Sequence, residues 1–133
     1  MLVKEITYTD YDGNKRTEKF YFNLNESELA ELELTTPGGL REWLDKITKS
    51  MDKVEIMKTF KKILMASYGE KSLDGKRLVK SEELSTAFTQ TEAYNVLFLE
   101  LINGSDVAMA NFINAIVPKG FSSDATVLKL END

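Results

Sequence analysis

The chain has 133 residues, 42% of them hydrophobic, which suits one domain able to close a core without disulfides or metals. Its 22 acidic and 17 basic residues leave a formal charge of -5, which works against a sequence-independent grip on nucleic acid, where a concentrated basic surface must release counterions. Histidine and cysteine are both absent, so there is no thiolate nucleophile, no imidazole base near neutral pH, no Cys/His zinc site and no disulfide.

The first residues, Met1-Leu2-Val3-Lys4-Glu5, lack the basic and long apolar regions of a signal peptide. No apolar run approaches the ~20 residues that span a bilayer. A soluble, intracellular protein without membrane contact is the expectation. Two glycosylation sequons, at Asn25 and Asn103, carry no physical meaning off a secretory route.

Leu2, Ile6 and Tyr8, then Phe20, Phe22 and Leu24, alternate with period two and predict a half-buried hairpin over residues 2–24. Asp10-Tyr11-Asp12-Gly13-Asn14 supplies its turn. The same segment fails as a calcium loop, because glycine stands fourth instead of sixth and Tyr21 holds the twelfth place that needs glutamate. Asn25 with Glu28 forms a variant capping box opening a short helix through Leu29 and Leu32 to Glu33.

Thr36-Pro37 marks a second helix start, followed by Leu40, Trp43, Leu44, Ile47 and Met51 at the spacing of one helical face. Asp52 is the expected cap of a third helix that turns Ile56, Met57, Phe60, Ile63, Leu64 and Tyr68 inward and ends at Gly69. Glu70 to Lys80 reads as a loop around Asp74-Gly75 with a short extended piece at Arg77-Leu78-Val79. Ser81 opens a brief helix, and Thr89 with Glu92 reads as the capping box of the next.

That next helix, Glu92 to Asn103, is apolar on nearly every side and predicts cover almost all round. Gly104 stops it; Asp106 starts another with Met109, Phe112, Ile113, Ile116 and Val117 apolar, ended by Pro118. The apolar pair over 92–117 is either the centre of a monomeric core or a face covered by another chain. Together the elements predict an α+β domain over residues 1–118, a two-stranded antiparallel hairpin followed by five to six short helices. Residues 119–133 are expected to form a flexible or extended tail, with Val127, Leu128 and Leu130 as a sticky segment.

Charge runs in blocks. Asn25 to Thr36 holds Glu26, Glu28, Glu31 and Glu33 and no cation; from Arg41 to Lys80 basic residues outnumber acidic ones; Ser81 to Asn103 is again purely acidic. Such an order can pair faces within a monomer or between copies, so self-association is an open expectation.

No catalytic constellation emerges. Ser50-Met51-Asp52-Lys53 matches a serine-lysine pattern, but its Ser-Asp-Asn and Lys-Thr-Gly companions are missing. Pro37-Gly38-Gly39 is too short to cradle a phosphate, and Glu82 with Glu83 comes without a cleft or an acid of raised pKa. A protein that works by contact, with no metal and no cofactor, is the reading that remains.

Several strings resemble phage tail assembly chaperones: Ser67-Tyr68-Gly69-Glu70-Lys71-Ser72, Asp74-Gly75-Lys76-Arg77, Lys80-Ser81-Glu82-Glu83-Leu84-Ser85 and Phe88-Thr89-Gln90-Thr91-Glu92-Ala93-Tyr94. Ile6 to Asp10, Phe20 to Leu24, Phe112-Ile113-Asn114 and Ile116-Val117-Pro118 extend the likeness over about residues 3–118. The resemblance implies a protein of long non-contractile-tailed bacteriophages, made in the bacterial host cytoplasm and absent from the virion. Its implied partners are the aggregation-prone tape-measure protein and, at hand-over, the tail tube protein. A longer frameshifted product is a habit of such proteins. On that reading the surface lent to a client or a second copy is the apolar excess of Trp43, Leu97, Leu101, Phe112, Ile113 and Ile116. The competing functions are a minor tail protein retained in the particle and a small acidic inhibitor of a host protein.

Overall fold

A computed structural model describes residues 1–49, 53–104 and 106–118. The expected tail, Asp52 as a cap and the Ser50 to Lys53 pattern therefore lie wholly or partly outside the described residues.

The N-terminal hairpin forms as the alternation requires. Strand β1 (Leu2–Thr9) pairs antiparallel with β2 (Lys15–Phe22), with Leu2 opposite Phe22 and Thr9 opposite Lys15. Asp10 organises the turn: its carboxylate accepts the amides of Asp12 at 2.9 Å and Asn14 at 2.8 Å, and Gly13 takes φ 86°, where a side chain would be strained. A hydrogen bond from Arg16 to the same carboxylate is the main cause holding its pKa below the ordinary value.

The sheet then grows beyond the hairpin. Strand β3 (Tyr68–Lys71) adds to β2, and β4 (Leu78–Val79) pairs with β3, giving a four-stranded antiparallel sheet in the order β1-β2-β3-β4. Six helices lie among the described residues: α1 (Glu26–Thr35), α2 (Gly39–Lys49), α3 (Lys53–Ser67), α4 (Glu82–Thr89), α5 (Glu92–Asn103) and α6 (Asp106–Ile116).

Helix α3 passes straight into β3. The expected stop at Gly69 is replaced by one at Ser67, because the Asn23 amide takes the Ser67 carbonyl at 2.8 Å and draws Tyr68 and Gly69 into register with Phe22 and Tyr21. Met57, expected inward, is 45% exposed on α3. The cap of α5 also moves. Thr89 spends its hydroxyl on the Thr86 carbonyl inside the last turn of α4, and Thr91, in extended conformation, accepts the Tyr94 amide at 3.2 Å.

Asn25 and Glu28 form the full reciprocal box at the start of α1, both bonds at 2.9 Å. Glu28 also receives Lys80 at 2.7 Å, and the same ammonium reaches the Asn23 carbonyl, so one carboxylate joins the α1 start to the segment after β4. Asn25→Ala should cost about 1 kcal/mol, read as a lower urea midpoint at unchanged slope.

An aromatic cluster joins sheet to helices. Phe22, fully buried, has ring centroids 5.9 Å from Tyr68, 5.8 Å from Phe88 and 5.4 Å from Phe112, so β2 meets β3, α4 and α6 at one side chain. Phe60 extends the cluster to Phe98 on α5. The exit of β2 is fixed to the end of α6 by the Leu24 amide, which donates to the Ile116 carbonyl at 2.8 Å.

Tyr68 lies flat on Phe88, with 4.2 Å between centroids and 5° between planes. Burial, aided by the Glu70 and Glu18 charges, pushes its phenol up to about 12. The fold therefore holds Tyr68 neutral where the unfolded chain ionises. That stability is complete below pH 10 and is lost as pH rises from 10 towards 12. Urea midpoints measured across this window should fall, and fall less in Tyr68→Phe, which has no phenol to ionise.

Candidate partner-binding surface

Helix α5 lies along β1 and runs against it. Tyr11, beyond the end of β1, donates to Glu92 at 2.9 Å at the start of α5, while Lys4 near the start of β1 pairs with Glu100 at 2.7 Å in its last turn. Both contacts are exposed, so they set the direction of the helix more than its stability. Packing comes from the inner face, where Ala93, Leu97 and Leu101 are buried and Tyr94, Phe98 and Ile102 half-buried.

Twelve residues of mostly apolar sequence cannot all turn inward on a helix that has one side against a sheet. Val96 and Leu99, three apart and on one side of the helix, remain 38% and 47% exposed between Asn95, Glu100 and Asn103. The expected near-complete cover of this helix is therefore broken by one outward stripe. On α6, Val107 is exposed in the first turn, whereas Met109, Phe112, Ile113 and Ile116, with Val117 just past its end, are buried.

The six residues expected to meet a partner all sit in the core. Trp43, Leu97, Leu101, Phe112, Ile113 and Ile116 are each at most 6% exposed, and all belong to one buried cluster. In this conformation they hold up the surface and present none of it. The two apolar sides of α5 look alike in sequence; only the placement of β1 and α6 separates inner Leu97 and Leu101 from outer Val96 and Leu99. Trp43 keeps one irregularity, a buried indole N–H without a hydrogen-bond partner among the described residues.

Apolar side chains also reach solvent elsewhere. Val3 stands opposite Tyr21 on the outer sheet face, Leu34 is exposed on α1, Val54 and Met57 on α3, and Leu73 is completely exposed between β3 and β4. The sequence carried a signal for Leu73, since a leucine inside an otherwise polar turn answers no need of the turn. A shallow groove of about 380 Å³ opens between α1 and α3, lined by Glu28, Glu31, Leu32, Thr35, Lys62 and Ala66.

Chemistry is sparse on this surface. Among the described residues no cluster of acidic side chains is arranged to hold a metal ion, and no helix is long and apolar enough to cross a membrane. Glu82 and Glu83 are exposed in the first turn of α4, where they face its positive N-terminus. Exposed apolar side chains on rigid elements, ringed by charge, suit reversible contact with another polypeptide.

Comparison with curated proteins and with solved structures gives no match. A family model described as phage tail assembly chaperone matches residues 1–129, almost the whole chain. Because that match spans far more than half of its length, this chain belongs to the phage tail assembly chaperone family.

Proposed function

We propose that this protein acts without any bond-making step, holding the tape-measure protein soluble in the bacterial host cytoplasm until tail tube subunits displace it. Membership of the chaperone family carries this reading. The contact is made by the outer stripe of α5, Val96 and Leu99, with Leu97 and Leu101 beneath it and Phe112, Ile113, Ile116 and Trp43 completing the support. A partner helix laid along α5 finds two apolar anchors one turn apart, in the manner of helix recognition by spaced side chains.

Two small anchors give weak contact individually, which fits a holder that must let go; many copies along one long client then add up through avidity. Net negative charge keeps the loaded complex soluble.

Co-expression with tape-measure fragments from the same phage tests the proposal. The expected result is a clear rise in soluble fragment, and no rise for any fragment would overturn it. Mass spectrometry of purified particles separates this role from that of a retained minor tail protein, for which recovery in stoichiometric amount is the signature.

A further inference from the structure

The turn between β3 and β4 is built more firmly than its exposure requires. The Ser72 amide donates to the Arg77 carbonyl and the Gly75 amide to the Ser72 carbonyl, both at 2.9 Å. The Ser72 hydroxyl donates to Asp74 at 2.6 Å and accepts the Arg77 amide at 3.0 Å, while Asp74 also accepts the Lys76 amide at 3.0 Å. Ser72, Asp74 and Gly75 thus account for the turn, and Gly75 supplies its positive φ of 75°. Leu73 contributes nothing to this network and touches nothing else, being fully exposed. A large apolar side chain carried into water on a hydrogen-bonded turn, beside Lys76 and Arg77, is an anchor whose backbone loses little entropy on docking.

The matching half is on the same molecule. The groove between α1 and α3 is lined by apolar Leu32 and Ala66, with Glu28, Glu31 and Lys62 as its charged residues. Its volume of about 380 Å³ is at the low end of the ~300–1,000 Å³ typical of ligand pockets and has room for one side chain with its neighbours. Lys62 at the groove is occupied by the Thr35 carbonyl and hydroxyl, and Glu28 by Lys80. Glu31 has no ion pair among the described residues, and neither do the side chains of Lys76 and Arg77. Leu34, 87% exposed one turn beyond Glu31, adds apolar surface elsewhere on the same helix.

We propose that the β3–β4 tip of one copy docks Leu73 into the α1–α3 groove of a second copy, with Lys76 and Arg77 against Glu31. The complete exposure of Leu73 shows that it does not enter the groove of its own chain. The opposite charges of the tip and of Glu31 favour a second copy, which brings a groove already shaped and charged for it. Every copy carries both halves, so pairing is either reciprocal or head to tail. The acidic 25–36 block and the basic residues up to Lys80 thereby acquire a shared purpose. The proposal does not rest on the tape-measure reading, and its test uses no client.

Sedimentation of the intact chain across concentration should show association that weakens as salt rises. Leu73→Asp and Glu31→Lys should each weaken it on the order of tenfold or more, with unchanged circular dichroism. Mixed together, the two variants should form a heterodimer, since one retains the groove and the other the tip. The absence of cysteine allows a direct trap. Leu73→Cys and Ala66→Cys on separate chains should cross-link under mild oxidation, while Val54→Cys with Ala66→Cys should not. A wild-type chain that stays monomeric throughout, association indifferent to Leu73→Asp, or a missing Leu73–Ala66 cross-link would each overturn the proposal.

Discussion

Replacing Phe22 with alanine should destabilise the fold by about 3–5 kcal/mol, the cost of a large cavity at a site that cannot collapse. Phe22 is fully buried and its ring meets Tyr68, Phe88 and Phe112, which belong to a strand and two helices far apart in sequence. Relaxation around the cavity would have to move β3, α4 and α6 together, and Tyr68 is itself pinned flat on Phe88. Against a total stability of about 5–15 kcal/mol for a domain of this kind, the loss is severe. Urea unfolding measures it as a lower midpoint at unchanged slope. Phe22→Leu, which keeps much of the volume, should lose considerably less. A loss under about 1 kcal/mol for Phe22→Ala would mean that the aromatic cluster is not what joins the sheet to the helices.

The double substitution Val96→Lys/Leu99→Lys should remove client holding while leaving the fold intact. Position 96 is one turn from both Glu92 and Glu100, so lysine there gains two i, i+4 pairs of opposite charge. Position 99 has Asn95 and Asn103 as the corresponding neighbours; the like charge nearest a lysine there is the new one at 96, three residues away, and Glu92 and Glu100 offset it. Stability is therefore expected to stay within about 0.5 kcal/mol per site. Soluble tape-measure fragment should drop to the level seen without the chaperone. Undiminished holding by a correctly folded double variant would move the client contact away from α5, with the outer sheet face at Val3 and Tyr21 the next place to look.

What the sequence by itself determined is whatever a residue settles with its near neighbours. The period-two alternation of Leu2, Ile6 and Tyr8 with Phe20 and Phe22 requires a hairpin in one register, and Asp10 with Gly13 closes it locally. Asn25 with Glu28, and Ser81 with the Leu84 amide, are caps whose partners lie three residues away. Family membership also came through in short strings over about residues 3–118, which lie within the residues 1–129 that the family model matches.

Tertiary structure decided everything that depends on a distant partner. Tyr68 and Gly69 could have continued α3 on local grounds, and became a strand because the open edge of β2 was available to them. Thr89 and Thr91 are equally able to cap a helix; the choice fell to the one left outside α4. The division of α5 into inner Leu97 and Leu101 and outer Val96 and Leu99 follows from where β1 and α6 approach it. Hydrophobicity tells a side chain that it belongs under cover, but a helix with more apolar residues than one buried face can hold leaves the selection to packing.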